Sequence, residues 1–172
     1  MKILTTIAEL MAVSAVTAPK TRGEDYISIK IIDDEDEIRN LAEKMVEYGE
    51  KTNRTNFDRD AKGVLKSSAI VLIGLKDAPP ALINCGACGF PTCAEALKVK
   101  QENEFKGLIC AFRLIDLGIA LGSAVKTAMN HNIDNRIMYR VGAVARNMGM
   151  VDWDIVMGIP LSATGKNIFF DR

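Results

Sequence analysis

The sequence has little with which to perform the commoner kinds of catalysis. A single histidine, His131, stands in 172 residues, and no Ser-His-Asp arrangement can be supported around it. In Met129-Asn-His-Asn132 it reads as a helix-end cap or a surface residue. No glycine-rich P-loop is present. No stretch approaches the roughly 20 apolar residues of a membrane span. Charge of one sign is also missing, with Lys and Arg numbering 22 against 22 Asp and Glu. No net field therefore draws the chain to nucleic acid or to an anionic membrane, and neither is expected as a partner. Internal repeats and low-complexity tracts are absent. What remains is an ordinary globular balance, 48 % hydrophobic and 26 % charged, in a length that suits one domain, 1–172, with a core of its own.

Cysteine is scarce too, but it is not scattered. All four residues fall in Cys85-Gly-Ala-Cys88-Gly-Phe-Pro-Thr-Cys93 and, sixteen residues on, Cys110. Four thiolates are what a cubane iron–sulfur cluster needs. The Cys-x2-Cys pair puts two of them on one tight turn. Gly86 and Gly89 let the backbone bend around a bulky group and direct N–H groups at its sulfurs, while Phe90 and Pro91 stiffen the loop and shield one face. Two other readings use the same residues. A structural zinc site takes four cysteines, usually as two Cys-x2-Cys knuckles, of which only one exists here. Disulfides or free thiols are the third reading, disfavoured because clustered cysteine in a chain expected not to be secreted is more often metal-binding. Glu9 interrupts the apolar run of the first 19 residues. That segment therefore reads as an amphipathic helix rather than a signal peptide, and a cytoplasmic location is expected.

The hydrophobic pattern predicts a helix over residues 3–16, closed by Ala18-Pro19, and a half-buried strand over Tyr26–Ile32 with Ile27, Ile29 and Ile31 on one face. Asp33–Glu37 is read as a helix start rather than a metal site. Asp34 and Glu37 have capping-box spacing, and the acids favour the positive end of the helix dipole. That helix turns Ile38, Leu41, Ala42, Met45 and Val46 inward and runs to about Thr52. A polar loop over 53–60 and a short helix over 61–66 lead to a buried strand, Ala69–Leu75. Thr92 is a candidate cap for a helix reaching Lys98. Helices follow over 111–129, where Gly118 and Gly122 invite close approach of another backbone, and over 136–147. Ile155–Leu161 is a last strand, ended or placed at an edge by Pro160. Met138, Met148, Met150 and Met157 are expected to fill the core, and Trp153 to serve packing or an interface. Regular βαβ alternation is missing, so the class is α+β, a small, mostly antiparallel sheet flanked by helices.

The cysteine spacing and both glycines resemble the 4Fe–4S module of Rnf-type electron-transport B subunits and of the corrinoid iron–sulfur protein, over residues 84–110. Two further segments are similar to nitroreductase-fold flavoproteins. One is Glu9–Ile27 with its Ala18-Pro19 turn. The other is Val144–Met150 followed by Met157-Gly-Ile-Pro-Leu161. The whole chain also resembles a group of uncharacterised proteins described as containing a ferredoxin domain. These resemblances imply a nitroreductase-like scaffold with an inserted iron–sulfur segment. They further imply a homodimer and FMN at the subunit interface, its phosphate met by Lys20, Arg22 and Lys166; the alternative is that these are solvated surface charges. The function expected is that of an iron–sulfur redox protein, a small oxidoreductase or an electron-transfer protein served by a redox partner protein. The alternative is a structural zinc-binding or cluster-sensing interaction protein without catalysis.

Overall fold

The apolar run Ala69–Leu75 forms a strand in which all seven residues are buried, because the computed structural model, which describes residues 2–170, covers both of its faces. The elements in chain order are α1 (Lys2–Thr17), β1 (Ile27–Ile32), α2 (Glu35–Thr52), α3 (Phe57–Leu65), β2 (Ala69–Leu75), α4 (Cys93–Ala96), β3 (Gln101–Glu102), β4 (Lys106–Gly107), α5 (Ala111–Asn130), β5 (Asp134–Asn135), α6 (Tyr139–Asn147) and β6 (Ile155–Ser162). A single 3-10 turn occupies Thr21–Gly23. The main sheet has the order β1-β2-β6-β5, every neighbouring pair antiparallel. Side chains alternate across β2. Ile70 and Leu72 enter a core with α2, α3 and α6, while Ala69, Val71, Ile73 and Leu75 enter a second core with α1 and α5. The expected α+β architecture is the observed one, with helices on both faces of the sheet.

Local chemistry sets the element boundaries. Asp34 caps α2 by accepting from the Glu37 N–H at 2.9 Å, as its spacing requires. The Glu37 side chain does not complete the box but turns to Lys30 at 3.0 Å. Helix α3 starts well before residue 61, inside the expected polar loop, because Phe57 is an anchor only 1 % exposed. Helix α4 is a single turn that stops short of Lys98, and α6 begins at Tyr139 because Met138 bridges to Gly158 on β6.

Two expectations need correction. Pro160 neither ends β6 nor places it at an edge, since β6 lies between β2 and β5. Gly158 directs its N–H and C=O to Met138. Pro160, two residues on, turns its missing donor to the same side, between that bridge and the two-residue β5, where no ladder bond is lost. Gly118 and Gly122 do not admit a neighbour within the chain, for a Cβ on either meets nothing within 4 Å. The close approach occurs at Gly142 instead, where a Cβ would stand 1.9 Å from the Val156 carbonyl oxygen. His131 caps the end of α5 through its backbone N–H, and Trp153 and Met138 are buried.

Candidate metal centre

Between the end of β2 and the start of α5 the chain leaves the sheet for an excursion with little regular structure. Its path is set by left-handed residues, Asp77, Leu82, Asn84, Gly86 and Gly89. Two of these build the cysteine knuckle. The Gly89 N–H donates to the Gly86 carbonyl at 2.9 Å and closes the turn that carries Cys85 and Cys88, at φ values of 75° and 87° that favour glycine. Asn84 brings the next cysteine in, its Oδ1 accepting from the Cys93 N–H at 2.9 Å. Thr92 caps α4 by accepting from the Glu95 N–H at 3.2 Å. Cys110 arrives separately, as the residue preceding α5.

The four cysteines, from two separate stretches of chain, line one cavity of about 360 Å³. Phe90, Ile83, Leu97 and Leu108 supply apolar wall. Cys93 is buried, Cys88 and Cys110 are half-buried, Cys85 is exposed, and all four are free thiols. As placed, no three Cys, His, Asp or Glu side chains among the described residues converge closely enough to grip one metal ion. Burial alone would push the Cys110 thiol up. The backbone N–H groups of Ala81, Arg113 and Phe112, with the Arg113 charge, more than offset it and leave the thiol below its ordinary value. A shared cavity and unpaired thiols suit a thiolate-held cluster.

The structure gives two of the three expected phosphate-binding cations, Lys20 and Arg22, other partners. Lys20 is nearly buried, and its Nζ donates to the carbonyls of Ala15 (2.9 Å), Val16 (2.6 Å) and Ala18 (2.8 Å). It finishes the C-terminus of α1, where orphan carbonyls need donors, and has no N–H left over for a phosphate. Arg22, at φ 62°, donates from Nη1 to the Ala81 carbonyl at 3.1 Å and pairs with Glu24. Lys166 lies in the bend after β6, its carbonyl accepting from Thr164 Oγ1 at 2.7 Å. None of the three lines the cysteine cavity.

The residues that sequence reading missed are Arg113 and Asp116. They are 0 % and 2 % exposed in the first turns of α5. Asp116 Oδ1 accepts from both the N–H and the Oγ1 of Thr21 at 2.8 Å. Arg113 donates to Asp116, to Glu24 and to the carbonyls of Thr21 and Pro79, and its guanidinium lies 4.6 Å from the Tyr26 ring centroid. The signal was available, for residues 113, 116, 117 and 120 share one face of a helix, so two charges fall on the stripe that holds Leu117 and Ala120.

The fold is that of the nitroreductases. The chain superposes on a nitroreductase family protein from Clostridium novyi NT with a TM-score of 0.59 at 12 % identity, covering 95 % of this chain and 77 % of that one. An FMN-dependent nitroreductase from Clostridium difficile gives 0.58 at 11 %, covering 94 % and 76 %. The hypothetical oxidoreductase YcnD from Bacillus subtilis gives 0.58 at 12 %, and this chain spans only 58 % of its length. At such identities the likeness carries the fold alone. In sequence, the chain belongs to one family with an uncharacterized protein from Archaeoglobus fulgidus, to which it is 53 % identical over 166 residues, 96 % of this chain and 89 % of the relative. The family described as uncharacterized protein containing a ferredoxin domain (DUF2148) matches residues 106–172, a span that includes Cys110 but not the other three cysteines.

Proposed function

We propose that the protein is an iron–sulfur redox protein in which Cys85, Cys88, Cys93 and Cys110 hold a 4Fe–4S cluster that exchanges electrons with a partner protein or a small acceptor. The observation that carries this reading is the single cavity lined by all four thiols. The cysteines form one Cys-x2-Cys knuckle and two separate single residues rather than the two knuckles usual for structural zinc, which favours the cluster over the zinc site. The ferredoxin-domain family supports the same reading. Such a cluster takes up or gives one electron at a potential set by N–H···S bonds, burial and local charge. The chain's own groups would bind it and shield it with Phe90 and the apolar wall. Protein purified without oxygen is expected to carry about four irons and four sulfides per chain, as a cubane requires, with a broad visible absorption. About one zinc per chain and no visible band would replace this reading with a structural metal protein.

FMN is a second cofactor favoured by one observation, the fold shared with an FMN-dependent nitroreductase. It would supply two-electron chemistry beside the one-electron centre. Because Lys20 is committed to α1 carbonyls, a bound flavin would rest on other groups. Flavin released on denaturing the same preparation tests this.

A homodimer is part of the proposal. The outer sides of α1 and α5 expose Leu10, Val13, Val16, Leu114, Ile115 and Ile119, with Val13 at 59 % and Ile115 at 52 %. Arg113 and Asp116 point inward, so Lys126 is the one exposed ionic side chain on α5. An apolar surface this continuous marks an interaction site. Sedimentation velocity should show a dimer that Ile119→Lys converts to monomer. A wild-type monomer at high micromolar concentration would remove the dimer from the reading.

A further inference from the structure

The sixteen residues between Cys93 and Cys110 are not a slack loop. Gln101 pairs with Gly107 and Glu102 with Lys106, so the β3–β4 hairpin takes residues 101–107 out of the span. Only residues 94–100 and 108–109 are left to join the two cysteines. The open end of the hairpin faces the cysteine cavity, for Lys100 and Leu108 line it together with Cys93 and Cys110. The closed end is fastened to the helices. Arg146 of α6 donates from Nη2 to the Glu102 carboxylate, from Nη1 to the Glu104 carbonyl at 3.1 Å and from Nε to the Trp153 carbonyl at 2.8 Å. The Glu104 carboxylate pairs with Arg54 and accepts from the Tyr48 hydroxyl at 3.3 Å, both groups at the end of α2. Phe105 packs against the core between α2, α3 and α6. The backbone completes the attachment. The Lys106 N–H donates to the Asp154 carbonyl at 2.8 Å, and the Asp154 N–H donates to Leu75 at 2.8 Å, where β2 ends and the excursion begins. The Arg146 and Glu104 side chains are only 13 % and 12 % exposed, so these bonds are poorly screened by water, and a planar guanidinium with three partners fixes direction as well as distance.

We infer that Arg146 is a positioning residue for the cysteine site: by pinning the β3–β4 hairpin to α6 it fixes where the chain returns to Cys110, opposite Cys93. The inference rests on the reading of these cysteines as ligands of one cluster. Arg146 does not line the cavity and acts on it only through the hairpin. A free connection of this length would have to be closed and ordered when the metal is taken up. With the hairpin anchored, that ordering belongs to the protein before binding, and the cluster is held more tightly for it.

The test uses Arg146→Met, Arg146→Lys and Arg54→Ala in the full chain purified without oxygen. It reads the rate of iron loss to a chelator, the EPR spectrum of the reduced cluster and a thermal melt. Arg146→Met is expected to lose iron several-fold faster than wild type and to give a shifted or broadened EPR signal. Arg146→Lys keeps the charge but not the fork and should recover part of both. Arg54→Ala removes one of the two partners of the Glu104 carboxylate and should change both readouts in the same direction, by less. It alone decides if Arg146→Met does not fold. A lower melting temperature with iron loss and EPR spectrum as in wild type would make Arg146 a packing residue and end the inference. Wild-type protein without iron would sink the cluster reading instead. The positioning would then be decided by cross-linking Cys93 to Cys110 with a short bismaleimide in a Cys85→Ser, Cys88→Ser background. A lower yield on adding Arg146→Met would support it, and an equal yield would overturn it.

Discussion

Cys93→Ser is expected to yield a protein without the visible absorption of the wild type, depleted in iron and sulfide, and melting several degrees lower. Three features make this position the most sensitive of the four. Cys93 is the buried cysteine, whereas Cys85 is exposed. Its backbone is locked at both ends, by Asn84 on its N–H and by the Thr92 cap that begins α4. A serine oxygen therefore cannot move to improve its approach to iron, and it is a harder and less acidic donor than thiolate. The stability change follows from the surroundings. Between Leu75 and Ala111 the regular structure consists of a four-residue helix and two two-residue strands, so cofactor binding is a large part of what would order the segment. For a chain of this size each kcal/mol lost lowers the melting temperature by about 2–4 °C. The measurements are an anaerobic visible spectrum, iron and sulfide content, and a thermal melt of the same sample. A variant with the wild-type spectrum would remove Cys93 from the ligand set.

The cysteine constellation was legible because its information is local, with spacing and glycines close together in sequence. The same holds for β2, read from its unbroken apolar run, and for the Asp34 and Thr92 caps, each a side chain meeting an N–H three residues on. What could not be read depends on partners far away in the chain. The role of Lys20 emerges only once α1 ends at Thr17, directly before Ala18-Pro19-Lys20, and its last carbonyls need donors. Arg113 and Asp116 were concealed by the apolar sequence around them, since their partners Thr21, Glu24 and Pro79 lie 34 to 95 residues away. Pro160 misled because a strand's tolerance of proline depends on which side its missing donor faces, and that follows from pairing with Met138 and β5.

Two glycines in helices are expected to respond to alanine with opposite sign. On propensity alone either substitution should stabilise its helix by about 0.8–1.0 kcal/mol. At Gly142 that gain is overwhelmed. The new Cβ would lie 1.9 Å from the Val156 oxygen and 2.5 Å from its carbonyl carbon, both backbone atoms of a strand fixed on each side, which cannot yield as a flexible side chain would. Helix α6 has to withdraw from β6, prying open the core around Val141, Val144 and Val156. Overpacking of this kind costs about 1–3 kcal/mol and sometimes more, so Gly142→Ala should lower the urea midpoint clearly. Gly158 faces the same contact from the strand, 2.2 Å from Val141 Cγ1. At Gly118 the Cβ meets nothing within 4 Å, and Gly118→Ala should raise the midpoint at protein concentrations too low for association. The proposed dimer refines this second expectation. Gly118 lies on the outer side of α5 with Leu114, Ile115 and Ile119, so a second copy seated there would meet the added methyl. The stabilisation should then shrink as protein concentration rises. A constant gain across concentrations would place Gly118 outside the interface, and a stable Gly142→Ala would mean that α6 and β6 are not packed backbone to backbone.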